Sequence, residues 1–423
     1  MMPAKRFSQV LLLICLLQGT KISNVAASGN SSMKKEDSVS VQHPKKLFFS
    51  IGRQHGSMLN TYQSEVISNI YSGSHFRIGW QTDDSDKNPD DNLYRYPYYG
   101  FGYYVGNMNR IVLGSGGQNT QSGQNARSKF GKPLAAYVFF GIPFYRSKWY
   151  QATYDISAGF SYNFNAYDPE ENPYNLLIGS KNNAYISFSV GNTFTLPGYS
   201  TFNAGFSFQH FSNGSYQKPN KGINLVSVTA AYQFGLYANR EKHYAQFAAI
   251  RSEPVLEWYL SFAGGVRMLD TGFDRNHPHD GKRWFCTTVS SAALVKTGLR
   301  RWIGAGLDFF YFDWGRHVIE YRARQEGREA TTSPLDNMEW GAFLSHEAGY
   351  KRLRMIINCG FYLSDRVGDN PIHPWIYERL GIKYHITKRL FAGLLVKAHL
   401  AKADYTEWTF GYILIKDKPL KKR

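Results

Sequence analysis

Apolar and polar residues alternate along most of the chain from Lys46 onward, in segments of about ten residues separated by turns. Successive side chains of a β-strand point to opposite faces, so this alternation predicts strands with one apolar and one polar face. In the last segment, Trp408 and Phe410 alternate with Glu407 and Thr409. The predicted strands span residues 46–58, 73–83, 95–105, 133–145, 149–164, 182–196, 200–212, 222–237, 253–267, 284–298, 301–315, 337–350, 352–364, 374–386, 389–401 and 404–416.

Two kinds of connection alternate between these segments. Short basic turns, such as Arg146–Lys148 and Gly298–Arg301, alternate with long polar loops, such as 106–131 and 315–336. That alternation is typical of an outer-membrane barrel, and closure leaves no unpaired strand edge in lipid. The sequence therefore predicts an all-β, antiparallel up-and-down transmembrane β-barrel over residues 46–416. The predicted count is about 16 strands, with 12 or 14 as alternatives because the first two segments and residues 237–253 are weakly patterned.

The N-terminus has the features of an export signal. Lys5 and Arg6 precede the apolar run 10–17, and small residues follow up to Ala27, which predicts a signal peptide over residues 1–27. A lipoprotein anchor at Cys15 is the alternative, but the preceding Leu and Ile are larger than such a site prefers. Residues 28–45 are predicted to be a disordered periplasmic leader, and residues 417–423 a basic tail.

Composition agrees with many strands and adds a basic charge. Aromatic residues make up 16% of the chain, glycines number 39, and the formal net charge is +17. A strongly basic exported protein is either merely basic or binds a phosphate-rich partner. No nucleic-acid-binding module is visible, so the phosphates of lipopolysaccharide are preferred. Cys286 and Cys359, which follow the signal peptide, could pair or remain reduced.

Candidate chemistry lies in the segment 202–235, which contains two predicted strands joined by a polar loop. His210 and Ser212 fall in the apolar phase of the first strand, and Asn224 falls in the apolar phase of the second. An unpaired buried polar group costs about 1 to 3 kcal/mol, so three such groups are expected to bond to one another. In the barrel these faces point to lipid, which predicts a site on the outer wall near the outer surface of the membrane.

These three residue types suit nucleophilic catalysis. A histidine two residues from a serine on one strand face can remove the hydroxyl proton, and Asn224 can orient the imidazole. The following residues, Asn213 and Gly214, offer an amide and backbone N–H groups for an oxyanion. The alternative is a chance His-Ser pair followed by an ordinary turn at 219–222.

The motif residues are similar to a known family. His210-Phe211-Ser212-Asn213 followed by Pro219-Asn220-Lys221-Gly222-Ile223 resembles the H-x-S-N…P-N-x-G-I signature of the PagL family of outer-membrane lipid A 3-O-deacylases, also called acyloxyacyl hydrolases. The closing segment 397–408 resembles the end of larger members from Bacteroidetes-type bacteria.

The resemblance implies roles for individual residues. Ser212 would be the nucleophile, His210 the general base, and Asn213 with the backbone near Ser215 the oxyanion contacts, without metal or cofactor. The sequence departs from the family at Asn224, where the family has Glu. Asparagine can orient the imidazole but cannot stabilise an imidazolium by charge, so the rate is expected to be lower by roughly 10²- to 10⁴-fold.

Other polar residues are weaker candidates. Lys218 and Lys221 either hold lipid A phosphates or are solvated. The loop residues Asp270, Asp274, His277, His279 and Asp280 have metal-ligand types without a recognised spacing, which favours a solvated loop. Lys397, His399, Asp404 and Glu407 are predicted to form a charged barrel interior in preference to a second site.

The sequence thus predicts an outer-membrane serine esterase that removes an ester-linked acyl chain from lipid A. Its expected partners are lipopolysaccharide and outer-membrane lipids, and not nucleic acid. One alternative is a non-catalytic barrel, either porin-like or a lipid-binding relative that has lost activity. Another is an acyltransferase that passes the chain to a second lipid.

Overall fold

The structure is a computed structural model, and it describes residues 46–59, 65–83, 88–114, 127–147, 149–197, 200–235, 254–269, 281–364, 375–399 and 402–419. The predicted signal peptide, the leader and the candidate metal-type residues of the loop 270–280 lie outside these residues. The strands are β1 Lys46–Met58, β2 Glu65–Gln81, β3 Tyr98–Asn107, β4 Ile111–Gly114, β5 Ser128–Lys129, β6 Gly131–Arg146, β7 Tyr150–Phe164, β8 Asn183–Thr195, β9 Ser200–Ser212, β10 Ile223–Gly235, β11 Val255–Met268, β12 Arg283–Gly298, β13 Arg301–Phe312, β14 Met338–Tyr350, β15 Leu353–Ser364, β16 Ile376–His385, β17 Leu390–His399 and β18 Lys402–Pro419. The helices are α1 Pro89–Leu93 and α2 Gly315–Gln325, with a 3₁₀ turn at Pro334–Asn337.

These strands close into two antiparallel barrels of eight strands each. Barrel 1 contains β1 to β3 and β6 to β10, and β1 closes it by pairing with both β2 and β10. Barrel 2 runs from β11 to β18, which pair with each other. The short strands β4 and β5 extend β2 beyond the first barrel.

The all-β antiparallel barrel and the count of sixteen barrel strands are confirmed. Their grouping into one barrel over residues 46–416 is wrong, because β10 returns to β1 and closes the first barrel. Alternation within a strand shows which face is apolar, but it does not show which strands are partners. Two boundaries also differ: β2 begins at Glu65, and β18 continues to Pro419 into the predicted basic tail.

Both barrels carry apolar side chains outward, as transmembrane barrels do. On β9, Phe206 is 70% exposed, and on β18, Trp408 is 65% exposed. Inward neighbours such as Gln209 and Glu407 are fully buried. Among the described residues, no helix is long and apolar enough to cross a membrane.

The interior of barrel 1 is filled by aromatic rings near one end and contains a cavity near the other. We call the end that carries the loop 213–222 the upper end, and the end where the chain enters β1 the lower end. The upper half is packed with buried rings, including Tyr104, Tyr185 and Phe211. The lower half contains a cavity of about 250 Å³ beside the ion pair of Arg77 and Asp155.

The interior of barrel 2 is charged at three levels. Arg354 binds Glu257 and Glu347 at the lower end, and Arg379 binds Asp308 and Glu407 in the middle. The third level, at the upper end, joins Asp404 to Arg267 and Lys397. The predicted charged interior for Lys397, Asp404 and Glu407 is therefore present. Cys286 points into this lumen and Cys359 lies exposed on the outer wall, so the two do not form a disulfide.

At the lower end, α1 of barrel 1 contacts two short turns of barrel 2. Asp90 accepts hydrogen bonds from Arg300 Nε at 2.5 Å and from the backbone N–H of Lys351 at 2.9 Å. Tyr94 donates to the carbonyl of Gly349 at 2.7 Å. Burial raises the pKa of Tyr94 to about 12, so its hydroxyl remains a donor at neutral pH.

Candidate functional site

Strands β9 and β10 bring the predicted histidine and asparagine side by side. In their antiparallel register His210 lies directly opposite Asn224, and both are in the outward phase. The neighbouring outward residues are apolar: Val226 lies below Asn224, and Ile186 of β8 lies opposite His210. The site therefore occupies the outer wall of barrel 1 at its upper end, as the alternation predicts.

The imidazole of His210 is bonded to Asn224. The His210 Nδ1 to Asn224 Oδ1 distance is 2.7 Å. The amide oxygen can only accept, so Nδ1 carries the proton and Nε2 is left as the acceptor of a neutral ring. This is the tautomer that a general base needs.

Gly222 packs directly against the same ring. A β-carbon at this position would lie 2.7 Å from His210 Cε1 and 3.4 Å from Nε2, and φ of Gly222 is +78°. Both the contact and the left-handed backbone require glycine. The glycine of the P-N-x-G-I motif therefore leaves room for the imidazole.

Ser212 ends β9 and is 7% exposed. Its Oγ accepts hydrogen bonds from Asn220 Nδ2 at 3.0 Å and from the backbone N–H of Gly214 at 3.2 Å. Within the described residues, no hydrogen bond joins Ser212 to His210. The two side chains share a strand face, but in this state the hydroxyl is directed toward the loop.

The other predicted site residues mainly shape that loop. Asn213 donates from Nδ2 to Ser180 Oγ at 2.9 Å and to the Gln217 carbonyl at 2.8 Å, so its side chain is engaged in loop contacts. Ser215 Oγ donates to the carbonyl of Ala403 in barrel 2 at 2.7 Å. Lys218 Nζ donates to Ser215 Oγ at 3.2 Å. Lys221 is exposed at the upper rim.

Sequence reasoning missed Asn220 as a site residue. It is 7% exposed, and its Oδ1 also accepts the backbone N–H of Asn213 at 3.1 Å. One amide side chain thus binds both the hydroxyl of Ser212 and the backbone of the next residue. Its signal in the sequence is the asparagine of the P-N-x-G-I motif, for which the resemblance gives no role in the site.

An apolar groove descends from the site along the outer wall of barrel 1. It lies where strands β1, β8, β9 and β10 meet, and its volume is about 450 Å³. The lining residues are His55, Gly56, Ser57, Phe188, Val190, Phe206, Ser207, Phe208, Val226, Ser227 and Val228. Because Val226 follows Asn224 on the outward face, the groove begins directly below the His210–Asn224 pair.

The polar cluster at the upper end of barrel 2 is an internal bonding network. Lys397 Nζ donates to Tyr362 at 2.7 Å, and the Tyr362 hydroxyl lies 2.8 Å from His399 Nε2. Lys397 is fully buried. In the part of the chain that the structure describes, no group of three or more histidine, cysteine, aspartate or glutamate side chains is arranged to hold a metal ion.

The fold and the site define a class: a protein of antiparallel membrane-type barrels with a Ser-His-Asn cluster on the outer wall of one of them. Comparison with protein families agrees with this class. Residues 74–233 match the family described as lipid A 3-O-deacylase (PagL), and residues 256–417 match the acyloxyacyl hydrolase, C-terminal domain. The chain belongs to the PagL lipid A 3-O-deacylase family. The boundary between the two matches coincides with the boundary between the barrels.

Comparison with solved structures gives distant similarities. The outer-membrane enzyme PagL is 17% identical, with 43% of this chain and 97% of that chain covered, at a TM-score of 0.25. The toluene transporter TodX of P. putida is 8% identical, with 90% of this chain and 92% of that chain covered, at a TM-score of 0.17. No curated protein sequence matches the chain.

Proposed function

We propose that the protein is an outer-membrane serine esterase that removes an ester-linked acyl chain from lipid A. The observation that carries the proposal is the His210–Asn224 pair at 2.7 Å, next to Ser212 on the outward face of a barrel wall. A soluble substrate would not reach groups that face lipid, whereas an acyl ester at the membrane surface would. Family membership supports the same substrate class.

The proposed reaction follows the serine esterase scheme. Ser212 turns toward His210 and attacks the ester carbonyl as its proton passes to His210 Nε2. The imidazolium returns that proton to the departing sugar hydroxyl, leaving an acyl-serine. Water, deprotonated by His210, then attacks the acyl-serine, and His210 passes that proton to Ser212 Oγ as the bond to the acyl group breaks and the fatty acid is released. Asn224 keeps the ring oriented throughout by accepting the hydrogen bond from Nδ1–H.

Two donors are already in place for the oxyanion. Asn220 Nδ2 and the backbone N–H of Gly214 now bind Ser212 Oγ. When the hydroxyl turns toward His210, both donors become available to the negative oxygen of the tetrahedral intermediate. Preorganised donors of this kind are each worth about 10²- to 10³-fold in rate. Asn220 thus takes the side-chain role in the oxyanion site that the sequence predicts for Asn213.

The groove below the site suits the acyl chain. Its walls are mostly apolar and continuous with the lipid-facing surface, so a fatty acyl chain can enter from the membrane without crossing water. The lipid A headgroup would then lie above, at the upper rim. Lys218 and Lys221 are close enough to this rim to contact phosphates, and this role remains a prediction.

Mass spectrometry of lipid A tests the proposal. Lipid A would be compared from cells that produce the native protein, the Ser212→Ala variant or the Ser74→Ala variant. Ser74 of β2 accepts a hydrogen bond from Arg53 at 3.1 Å, does not line the groove, and serves as the control serine. We expect one acyl chain to be missing with the native protein and Ser74→Ala and to be retained with Ser212→Ala. Acyl loss that does not depend on Ser212 would refute the esterase proposal.

The non-catalytic alternative is supported by the absence of a bond between Ser212 and His210 among the described residues, and by the asparagine at the third position. A channel is less well supported, since rings fill the upper half of barrel 1 and ion pairs fill three levels of barrel 2. An acyltransferase would use the same serine chemistry with a lipid hydroxyl in place of water. Finding the acyl chain on a second lipid would identify that activity.

A further inference from the structure

In the seam between β11 and β18 of barrel 2, the paired register stops short of the upper end. It begins near Val255 and Pro419 and ends at Gly264 and Trp408. Strand β11 nevertheless continues to Met268, and β18 begins at Lys402. Above the last pair, Gly265 still lies against the backbone of Thr406, but the tops of the two strands have no paired register.

The site loop of barrel 1 bonds to both strands at the top of this seam. The backbone N–H of Met268 donates to the Ser215 carbonyl at 2.8 Å, and Ser215 Oγ donates to the Ala403 carbonyl at 2.7 Å. One residue of the loop thus bonds to β11 and to β18 above the last paired residues of the two strands. Ser215 has φ of +64°, an uncommon conformation for a side-chain-bearing residue, and it is held by bonds on both sides.

Further contacts fix the same loop. Gly214 lies against Thr406 of β18, where a β-carbon on the glycine would be 2.2 Å from Thr406 Oγ1. Arg283 of β12 lies over the ring of Tyr216 at 4.4 Å, and its Nε donates to the Tyr216 carbonyl at 3.3 Å. With the bonds of Arg283 to Gln217 Oε1 at 3.4 Å and of the Lys218 N–H to Met268 Sδ at 3.3 Å, barrel 2 contacts five consecutive residues of the loop. The first of them, Gly214, supplies an N–H to Ser212.

The buried charges at the top of barrel 2 hold the two sides of the seam. Arg267 and Asp404 form an ion pair inside the lumen, and Lys397 Nζ binds Asp404 at 2.7 Å. Arg267 precedes Met268 in sequence, and Asp404 follows Ala403. The ion pair thus fixes the spacing between the two backbone groups that bind Ser215.

We propose that barrel 2 is a positioning element for the reaction on barrel 1: the upper ends of β11, β12 and β18 hold the loop 213–217 so that the Gly214 N–H points at the oxyanion site. This proposal rests on the esterase function proposed above. It assigns Thr406 and Arg283 as positioning residues, which act through the loop and do not touch substrate. It also gives a role to a second barrel that carries no part of the Ser-His-Asn cluster.

The test uses the full-length protein with substitutions on the barrel 2 side of the contact. Thr406→Leu would push Gly214 away from Ser212, and Arg283→Ala would remove the contact with Tyr216. Arg300→Ala is the matched control, because it breaks an inter-barrel contact at the opposite end of the molecule. The readouts are kcat and KM on a lipid ester in detergent, and the rate at which a fluorophosphonate labels Ser212, since that reaction also needs the oxyanion donors.

For Thr406→Leu we expect kcat to fall about tenfold or more with little change in KM, together with slower labelling, because small misplacements of catalytic groups have large effects on rate. Arg283→Ala should show a smaller loss that Arg283→Lys partly restores, and Arg300→Ala should match the native protein. Native kcat and labelling in both seam variants would overturn the proposal, as would an equal loss in Arg300→Ala. If Ser212→Ala retained native activity, the esterase function itself would fail, which is a separate result.

Discussion

The two barrels share a topology and differ in their interiors. The described interior of barrel 1 contains hydroxyls, amides and aromatic rings, with one ion pair, Arg77 and Asp155, beside a cavity. Barrel 2 has buried ion pairs at three levels, such as Arg379 with Asp308 and Glu407. The interior of an eight-stranded barrel is narrow enough for side chains to fill. Barrel 1 fills it mainly with aromatic and neutral polar side chains, and barrel 2 fills it with ion pairs.

The candidate chemistry lies on the outer wall of the barrel with the less charged interior. His210 and Asn224 are held by strand register, and the loop that follows Ser212 is held by barrel 2. A rigid, densely bonded neighbour can fix a loop more firmly than the loop can fix itself. Under the two proposals above, barrel 1 carries the reacting groups, and barrel 2 stabilises their arrangement.

The largest expected effect is on the rate of ester hydrolysis, and it should distinguish two outward-facing histidines, one on each barrel. His210→Ala removes the proposed general base, and we expect the rate of ester hydrolysis to fall by about 10³- to 10⁴-fold. His346 lies outward on β14 opposite Ile303 and Ile357, in similarly apolar surroundings. His346→Ala should leave the rate unchanged in the same assay. Equal losses would mean that an outward histidine supports the barrel and not the chemistry.

The second prediction concerns the two interiors. Arg379→Met would leave Asp308 and Glu407 buried without their cation, which we expect to reduce the free energy of unfolding by about 3–5 kcal/mol. Arg77→Met in barrel 1 leaves only Asp155, which borders a cavity that water can enter, so a loss of about 1–2 kcal/mol is expected. Denaturant unfolding in detergent micelles measures both. A larger loss for Arg77→Met would reverse the comparison.

Most of the fold could be predicted from the pattern of alternation. The bounds of β1 and β9 agree with the prediction at both ends, and most other strands agree within a few residues. Closure of two barrels could not be predicted, because the pairing of β1 with β10 joins residues far apart in sequence and leaves no trace in local periodicity. The weak pattern of residues 237–253 was the one available sign of a boundary.

The alternation of side chains along a strand predicts which site residues share a face, but not which hydrogen bonds they make. His210, Ser212 and Asn224 lie on one outward face because the period of a strand is two. The bond from Asn220 to Ser212 and the contact of Ser215 with Ala403 depend on a loop conformation and on a second barrel. Neither follows from spacing, because such contacts are set by tertiary packing.

The third prediction concerns Asn224→Glu, which adds a carboxylate to the outer wall of barrel 1. The buried carboxylates of barrel 2 lie in its interior instead. Glutamate in Asn224→Glu would accept the hydrogen bond from His210 Nδ1–H and also stabilise the imidazolium by its charge, so we expect kcat to rise by about 10²-fold. Asn224→Gln is the control, since it lengthens the side chain without adding charge. An increase with glutamine as large as that with glutamate would show that reach, and not charge, limits the native site.

The smallest expected effect is on kcat when either of two glycines with positive φ, one in each barrel, is replaced by alanine. Gly222 has φ of +78° with His210 Cε1 only 2.7 Å from the place of a β-carbon, whereas Gly281 has φ of +73° with nothing within 4 Å. Alanine strains the backbone at both positions by a similar amount, about 1 kcal/mol, but only at position 222 does it displace the imidazole. Gly222→Ala should therefore lower kcat about tenfold while Gly281→Ala leaves it unchanged, with similar losses of unfolding free energy. If both variants lost stability equally and neither lost activity, the imidazole would not need its present position, and the assignment of His210 as the base would fail with it.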